Sequence, residues 1–239
     1  MSTAALLLSD ARFPAGGHAH SGGVEPAVTA GTVTGLASLE VFLRGRLGSA
    51  GLVAAGLAAA ACARVLADPG GEAAAGGGGN QRPVHCAGVD FWAELDAEAD
   101  ARTPAPAQRG ASRRQGRALL RAARVAWPAA VWPPQPAPHH AIVLGAAAAA
   151  AGCPPAEAAR IAAYQAVAGP ISAAVRLLAL DPMRAAAVGA RLAADIEAAA
   201  GRAAASAAGP LDDLPYPSAP ALDLLAEAHI RAEARLFES

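Results

Sequence analysis

Apolar residues recur at helical spacing along most of the chain. In several segments they lie three or four residues apart, and the alternation of apolar and polar residues that is typical of strands is almost absent. The segments with helical spacing are Thr3–Leu8, a stretch from near Val24 to about Gly48, Leu52–Ala67, His139–Ala151, Pro155–Ala168, Ile171–Leu180, Met183 to about Ala208, and Ala221–Phe237. The pattern predicts an all-α protein, a bundle of about ten helices.

Glycine and proline mark the connections between these helices. Residues 69–83 are a low-complexity Gly/Ala/Pro stretch, where we expect a flexible connector. Residues 128–138 are rich in proline, and we expect an extended connection there. We therefore predict one helical domain over residues 1–239 with these two irregular segments.

The composition indicates what kind of core these helices form. Hydrophobic residues make up 54% of the chain and aromatic residues only 4%, and alanine supplies much of the hydrophobic share. Alanine is the best helix former and loses no side-chain entropy on folding. The sequence therefore predicts closely packed helices around an Ala-rich core.

Charge and cysteine content limit which functions and which cellular compartment the sequence is compatible with. The basic residues are all arginine, nineteen against twenty acidic residues, for a net charge of −1. This balance argues against a nucleic-acid partner. The absence of lysine excludes a Walker-type nucleotide site and Schiff-base chemistry. The three cysteines are widely spaced, and with no signal peptide or membrane span apparent they predict a soluble cytoplasmic protein.

Charges are distributed unevenly in the middle of the chain. Acidic residues crowd residues 90–100, whereas residues 102–124 carry arginines and no acid. Arg113, Arg117, Arg121 and Arg124 are spaced so that they share one face of a helix. That face is either a solvated surface that pairs with the acidic stretch or a docking stripe for an acidic partner protein.

Residues that could carry catalysis or hold a metal are few. The sequence has no GxSxG or HExxH motif and no CxxC pair. The histidine pairs are His18/His20 and His139/His140, and two imidazoles at such spacing can bind nickel or zinc. No carboxylate or cysteine completes either site locally, so His18 and His20 are weak metal candidates. We predict no catalytic residues, no permanent cofactor and no enzymatic activity.

Residues 13–25 form the most distinctive stretch of the chain. They combine glycines, a proline, two histidines and Ser21, a candidate helix cap. Such a density of glycine indicates a shaped surface loop rather than an ordinary helix connection. In the last helix, the pattern predicts an inward seam of apolar and histidine side chains and an ion pair between Glu227 and Arg231. The seam comprises Leu222, Leu225, His229, Ala232 and Leu236.

Four segments resemble signatures of a known family. Residues 13–25 are similar to an opening Pro-x-Gly-Gly/Ser and Ser-x-Gly-Leu-Glu pattern, and His229 with residues 235–239 is similar to a closing His…Arg-Leu-Phe-x-Ser. Residues 114–120 and 174–177 resemble its Gln-Gly-Arg-x-Leu-Leu and Ala-Val-Lys/Arg segments. The four occur in the same order, so the chain resembles the UreF family of urease accessory proteins. His18 and His20 stand where that family usually has an aromatic residue.

The resemblance implies a non-enzymatic scaffold for urease maturation. It implies a homodimer that binds UreD (also called UreH), recruits the GTPase UreG and docks on urease apoprotein, with nickel handled transiently by the complex. On this view the opening loop and the last helix with its tail bind partners. The residues implied are Phe13, Pro14, Gly16, Gly17, His18, His20, Ser21, Glu25, Arg231, Arg235, Leu236 and Phe237.

Two other function classes stay open at this point. One is a helical ligand-binding regulator, against which the neutral charge and the lack of a helix-turn-helix signal count. The other is a helical enzyme of metal or prenyl chemistry, which should carry an Asp-rich helix. The sequence offers only Asp212-Asp213, in a predicted loop.

Overall fold

The structure is a computed structural model that describes residues 3–10, 13, 20–67, 87–232 and 236–237, with the backbone alone for residues 87–90. The α-helices, in chain order, are α1 (Thr3–Ser9), α2 (Val24–Thr29), α3 (Leu36–Arg46), α4 (Leu52–Ala67), α5 (Ala87–Ala101), α6 (Pro106–Ala126), α7 (His140–Ala150), α8 (Pro155–Leu178), α9 (Pro182–Arg191), α10 (Ala193–Ala205) and α11 (Pro220–Ile230). The described residues contain no β-strand, so the predicted all-α class is confirmed.

The centre of the bundle consists of α4, α7, α8 and α10, which pack against one another. Their facing sides are mostly alanine, as the composition predicted, and small side chains let the helix backbones approach closely. Two of these helices approach closely at Gly145 of α7, where a Cβ would lie 2.2 Å from the carbonyl oxygen of Ala58 in α4. Only glycine fits between these two helices at that point.

Two helical stretches are long and apolar enough to span a membrane by length and composition. They are residues 36–67 and residues 155–178. Both pack within the bundle, and most of α4 is buried by its neighbours. Their apolar character is therefore explained by the core that they form.

Helix starts follow the sequence more closely than helix ends do. Proline occupies the first position of α6, α8, α9 and α11, where its missing N–H costs nothing and its fixed φ suits a helix. The stretch predicted from Val24 to Gly48 is interrupted between α2 and α3 around Gly31, whose φ is +70°. At its other end it does not stop, because a π-helical turn, Leu47–Gly51, carries α3 directly into α4.

Two further boundaries differ from the prediction. The segments Pro155–Ala168 and Ile171–Leu180 are one helix, α8, with Pro170 inside it. Pro170 is buried, so packing stabilises a helix that local propensity would end. Conversely, Met183 to Ala208 is divided into α9 and α10 at Leu192, whose side chain is fully buried at the turn.

Arg113 connects the acidic stretch to α6. Its guanidinium bonds the carboxylates of Asp96 and Asp100, both at 2.8 Å. The interpretation that the arginine face pairs with the acidic stretch is therefore confirmed for Arg113.

The two irregular segments that the sequence predicts have different outcomes. Residues 128–138 contain no helix, and the predicted flexible connector at residues 69–83 lies outside the described residues.

Candidate partner-binding site at the junction of the chain ends

The start of α2 is built from small residues and one buried hydroxyl. Gly23, with a φ of +88°, is the N-cap, so Ser21 lies two residues before the cap position. The Ser21 hydroxyl still accepts the backbone N–H of Glu25 at 3.3 Å, and so satisfies one of the free donors of the first turn. Gly22 has a φ of +60°, and a Cβ there would lie 2.9 Å from Pro170 of α8. This loop therefore sets the position of Glu25 against α8.

Glu25 is the carboxylate on which the two ends of the chain meet. Its side chain is 8% exposed, and its two oxygens accept the backbone N–H groups of Leu236 at 2.7 Å and of Phe237 at 2.9 Å. Hydrogen bonds to an ionised acceptor are about twice as strong as neutral ones. A residue near the beginning of the sequence thus holds the last described residues in place.

His229 completes this contact from α11. Its Nε2 lies 3.2 Å from the carbonyl oxygen of Phe237 and 3.4 Å from a carboxylate oxygen of Glu25. Both neighbours are acceptors, so Nε2 must carry a hydrogen in this arrangement. The imidazole is buried and links the end of α11 to the segment that follows it.

Phe237 is the side chain that this segment buries. Its ring packs beneath the guanidinium of Arg176 in α8, whose carbon lies 4.2 Å from the ring centroid. Three contacts therefore fix the segment: the Glu25 carboxylate, the His229 imidazole and the Arg176 cation. We call Glu25, His229, Arg176 and Phe237 the tail clamp.

The tail clamp explains why the last helix is shorter than predicted. Helix α11 ends at Ile230 rather than at Phe237, because the backbone donors of Leu236 and Phe237 bond to Glu25 instead of to a preceding helical turn. The predicted seam is right for His229, which is buried, and wrong for Ala232 and Leu236, which are exposed.

The expected ion pair of Glu227 with Arg231 is also wrong. The Glu227 carboxylate instead accepts the backbone N–H of Ala107, the second residue of α6, at 2.8 Å. Between Glu227 and Arg231, both within the described part of the chain, no ion pair forms.

The other predicted partner-binding residues lie in several places. Phe13 packs on Trp127 after α6, with ring centroids 6.1 Å apart, and Arg231 is exposed at the end of α11. The side chain of Leu236 points outward and is 77% exposed. The predictions on Pro14, Gly16, Gly17, His18 and Arg235 fall outside the described residues.

A cavity of about 480 Å³ lies beside the tail clamp and contains histidines from two parts of the chain. Its lining includes His20, Arg46, His140 and Arg176. Burial, with the nearby His20 adding to it, lowers the pKa of His140 to about 4, so its imidazole is neutral at neutral pH. Within the described ranges, no group of three or more His, Cys, Asp or Glu side chains is placed to hold a metal ion.

His139 has a structural role next to this cavity. Its Nδ1 lies 3.0 Å from the Ser112 hydroxyl and its Nε2 lies 2.9 Å from Asp100. Burial opposes ionisation of Asp100, but hydrogen bonds from His139 and Arg113 outweigh it and lower the pKa of that carboxyl. Ser112 also accepts the backbone N–H of His140 at 3.2 Å. The network joins α5 and α6 to the start of α7.

The roles of His229 and Arg176 at the chain ends were not predicted. His229 was expected as part of an apolar seam and of the closing family signature, and Arg176 only as part of a family signature. The available signal was physical: a histidine among apolar seam positions needs a hydrogen-bond partner when it is buried. A buried acid among apolar neighbours, such as Glu25, also needs hydrogen-bond partners.

Comparison with known proteins gives consistent results over nearly the whole chain. A family model described as UreF matches residues 33–193. The chain is 44% identical to the urease accessory protein UreF of Mycolicibacterium vanbaalenii over 235 residues, which cover 98% of this chain and 97% of that protein. It is 44% identical to the protein of the same name from Mycobacterium marinum, with both chains covered completely. Identity to the protein of that name from Mycobacterium tuberculosis is 42% over 235 residues.

Proposed function

The chain belongs to the UreF family of urease accessory proteins, and we propose that it serves urease maturation as a non-enzymatic scaffold for nickel incorporation. Its expected partners are UreD (UreH), the GTPase UreG and urease apoprotein, and its expected compartment is the cytoplasm. The observation that carries the proposal is the tail clamp. Glu25 and Phe237 belong to the two family signatures at opposite ends of the sequence, and they are in contact.

The exposed side of the C-terminal region has the character of a protein interface. Leu224, Ile230 and Leu236 are all exposed, and Arg231 lies among them in the sequence. Exposed aliphatic side chains next to an arginine are typical of surfaces that bind other proteins. The tail clamp fixes the backbone beneath Leu236, so this surface is ordered before a partner arrives, which lowers the entropy cost of binding. We propose that UreD binds here.

The test is to replace Leu236 by Asp and to measure co-purification with co-expressed UreD and UreG. The side chain of Leu236 is exposed, so the fold should be retained and the complex should be lost or greatly weakened. The matched control is Met183→Asp, at an aliphatic side chain of α9 that is 82% exposed. Arg235→Ala, chosen from the family signature, should also weaken assembly. Retention of both partners by Leu236→Asp would contradict this placement.

Nickel is the cargo of this pathway, and we propose that this chain alone does not hold it tightly. His20 and His140 both line the cavity, but two imidazoles without a third ligand make a weak site. Calorimetry with the isolated protein should show weak binding of Ni²⁺ or none. Tight stoichiometric binding would contradict this proposal and make His18 and His20 the first residues to replace.

We also propose that the chain is a homodimer. Helix α1 lies on α8, where the Gln165 side chain donates to the carbonyl oxygen of Leu8 at 3.0 Å. Leu6, Leu7 and Tyr164, on the same two helices, are exposed. An exposed apolar surface of this kind is suited to a second copy of the chain. Light scattering on the purified protein measures the mass, and a monomer at micromolar concentration would contradict the proposal.

A further inference from the structure

Three arginines on α6 form an exposed row with no partner in the described part of the chain. Arg117, Arg121 and Arg124 are exposed, and none of them has an ion pair or hydrogen bond to a described residue. Arg113, one turn before them on the same helix, is bonded to Asp96 and Asp100. The acidic stretch of α5 therefore neutralises only the first arginine of this face. We call Arg117, Arg121 and Arg124 the arginine row.

The row differs from several other surface arginines of this protein, which are paired with acids. Arg160 bonds Glu197 at 2.8 Å, and Arg191 bonds Glu40 at 2.6 Å. Helix α6 contains no acidic residue, so the like charges of the row repel one another with no acid one turn away on the same helix. An acidic surface from outside would relieve this repulsion.

The neighbouring surface indicates a protein rather than a nucleic acid. Val125 lies one helical turn after Arg121 and is 84% exposed, so an aliphatic side chain continues the row. Protein interfaces combine arginine with apolar contacts, whereas a phosphate backbone offers little for valine to contact. The net charge of −1 for the whole chain also disfavours nucleic acid.

The row is separate from the site at the chain ends. Helix α11 contacts α6 at Ala107, and ten residues of helix, about 15 Å, separate Ala107 from Arg117. We propose that the arginine row is a second docking surface, which binds an acidic protein surface. This proposal does not depend on the proposed role of the tail clamp, because the two surfaces consist of different residues.

The experiment measures binding of the full-length protein to a labelled helical peptide. The peptide carries Glu at positions i, i+4 and i+7, the spacing of the row, and a Gln version is the neutral comparison. Fluorescence anisotropy at low salt should show binding of the Glu peptide alone, and high salt should abolish it. The double variant R117E/R121E should weaken binding about tenfold or more.

The matched control is R184E/R202E, which changes the net charge by the same amount. Arg184 and Arg202 are exposed and lie on α9 and α10. Binding by this control should stay within about twofold of the unchanged protein, because these sites lie outside the row. R117Q/R121Q repeats the measurement without charge reversal, and thermal unfolding checks that each variant is folded.

Three results would overturn the proposal. The first is equal binding of the Glu and Gln peptides by the unchanged protein. The second is an equal loss of binding in R117E/R121E and R184E/R202E, since net charge and not the row would then be responsible. The third is tighter binding of a labelled DNA duplex than of the Glu peptide, lost in R117E/R121E, which would assign the row to nucleic acid.

Discussion

Replacing Glu25 by Gln should release the C-terminal segment while the helical bundle stays folded. The Glu25 carboxylate accepts two backbone N–H groups, from Leu236 at 2.7 Å and from Phe237 at 2.9 Å. A Gln amide keeps the shape but offers one oxygen and one NH₂ group. One of the two backbone donors would then face another donor, and the other would bond a neutral oxygen.

The magnitude follows from the two hydrogen bonds. A hydrogen bond to a charged group contributes about 1.5–3 kcal/mol, so losing one and neutralising the other should cost roughly 2–4 kcal/mol of tail docking. The loss is confined to the segment, because the donors can return to water once it detaches. Amide exchange at Leu236 and Phe237 should accelerate roughly 30-fold or more, since each 1.4 kcal/mol corresponds to about tenfold.

The assay is hydrogen exchange followed residue by residue by NMR. The control is Glu197→Gln, which removes an exposed carboxylate paired with Arg160 and should leave exchange at the tail unchanged. The global unfolding midpoint should shift little in either variant. If the amides of Leu236 and Phe237 stay as protected in Glu25→Gln as in the unchanged protein, Glu25 does not hold the tail.

Two further predictions concern the core and the cavity. Gly145→Ala should destabilise the protein by about 2 kcal/mol in urea unfolding, because its Cβ would meet the Ala58 carbonyl oxygen at 2.2 Å. Gly201→Ala, in open space on α10, should stabilise it by about 0.5–1 kcal/mol, and equal effects would contradict the close approach. Burial lowers the pKa of His140 to about 4, so between pH about 6.5 and 4 the unfolded chain binds a proton that the folded protein does not. The free energy of unfolding should therefore fall by up to roughly 3 kcal/mol as the pH is lowered over this range. His140→Gln should flatten the fall of the unfolding midpoint over this range, and an unchanged slope would refute the assignment.

The helices could be predicted from the sequence because their causes are local. Alanine content and apolar spacing indicated α4 and α7, and both lie in the core. Helix ends were less predictable where tertiary contacts decide them. Helix α8 continues through Pro170 because that residue is buried. Helix α11 does not extend to Phe237, because Glu25 accepts the backbone N–H groups of Leu236 and Phe237.

The candidate site was predictable only in part. The family signatures indicated Glu25 and Phe237 separately, but nothing in local spacing shows that residues 212 positions apart are bonded. For the same reason, local spacing does not show that Nε2 of His229 lies beside two acceptors, the carbonyl oxygen of Phe237 and the carboxylate of Glu25. The arginine face was visible in the sequence, yet which arginines pair with acids depends on how α5 lies against α6.

The most direct test of the central claim is the nickel content of urease made without this chain. Urease and its other accessory proteins would be expressed in a host lacking this gene, and nickel per urease active site would be measured together with activity. We predict urease nearly free of nickel and inactive, with both restored when the gene is returned. Normal nickel loading without the chain would contradict the proposed function.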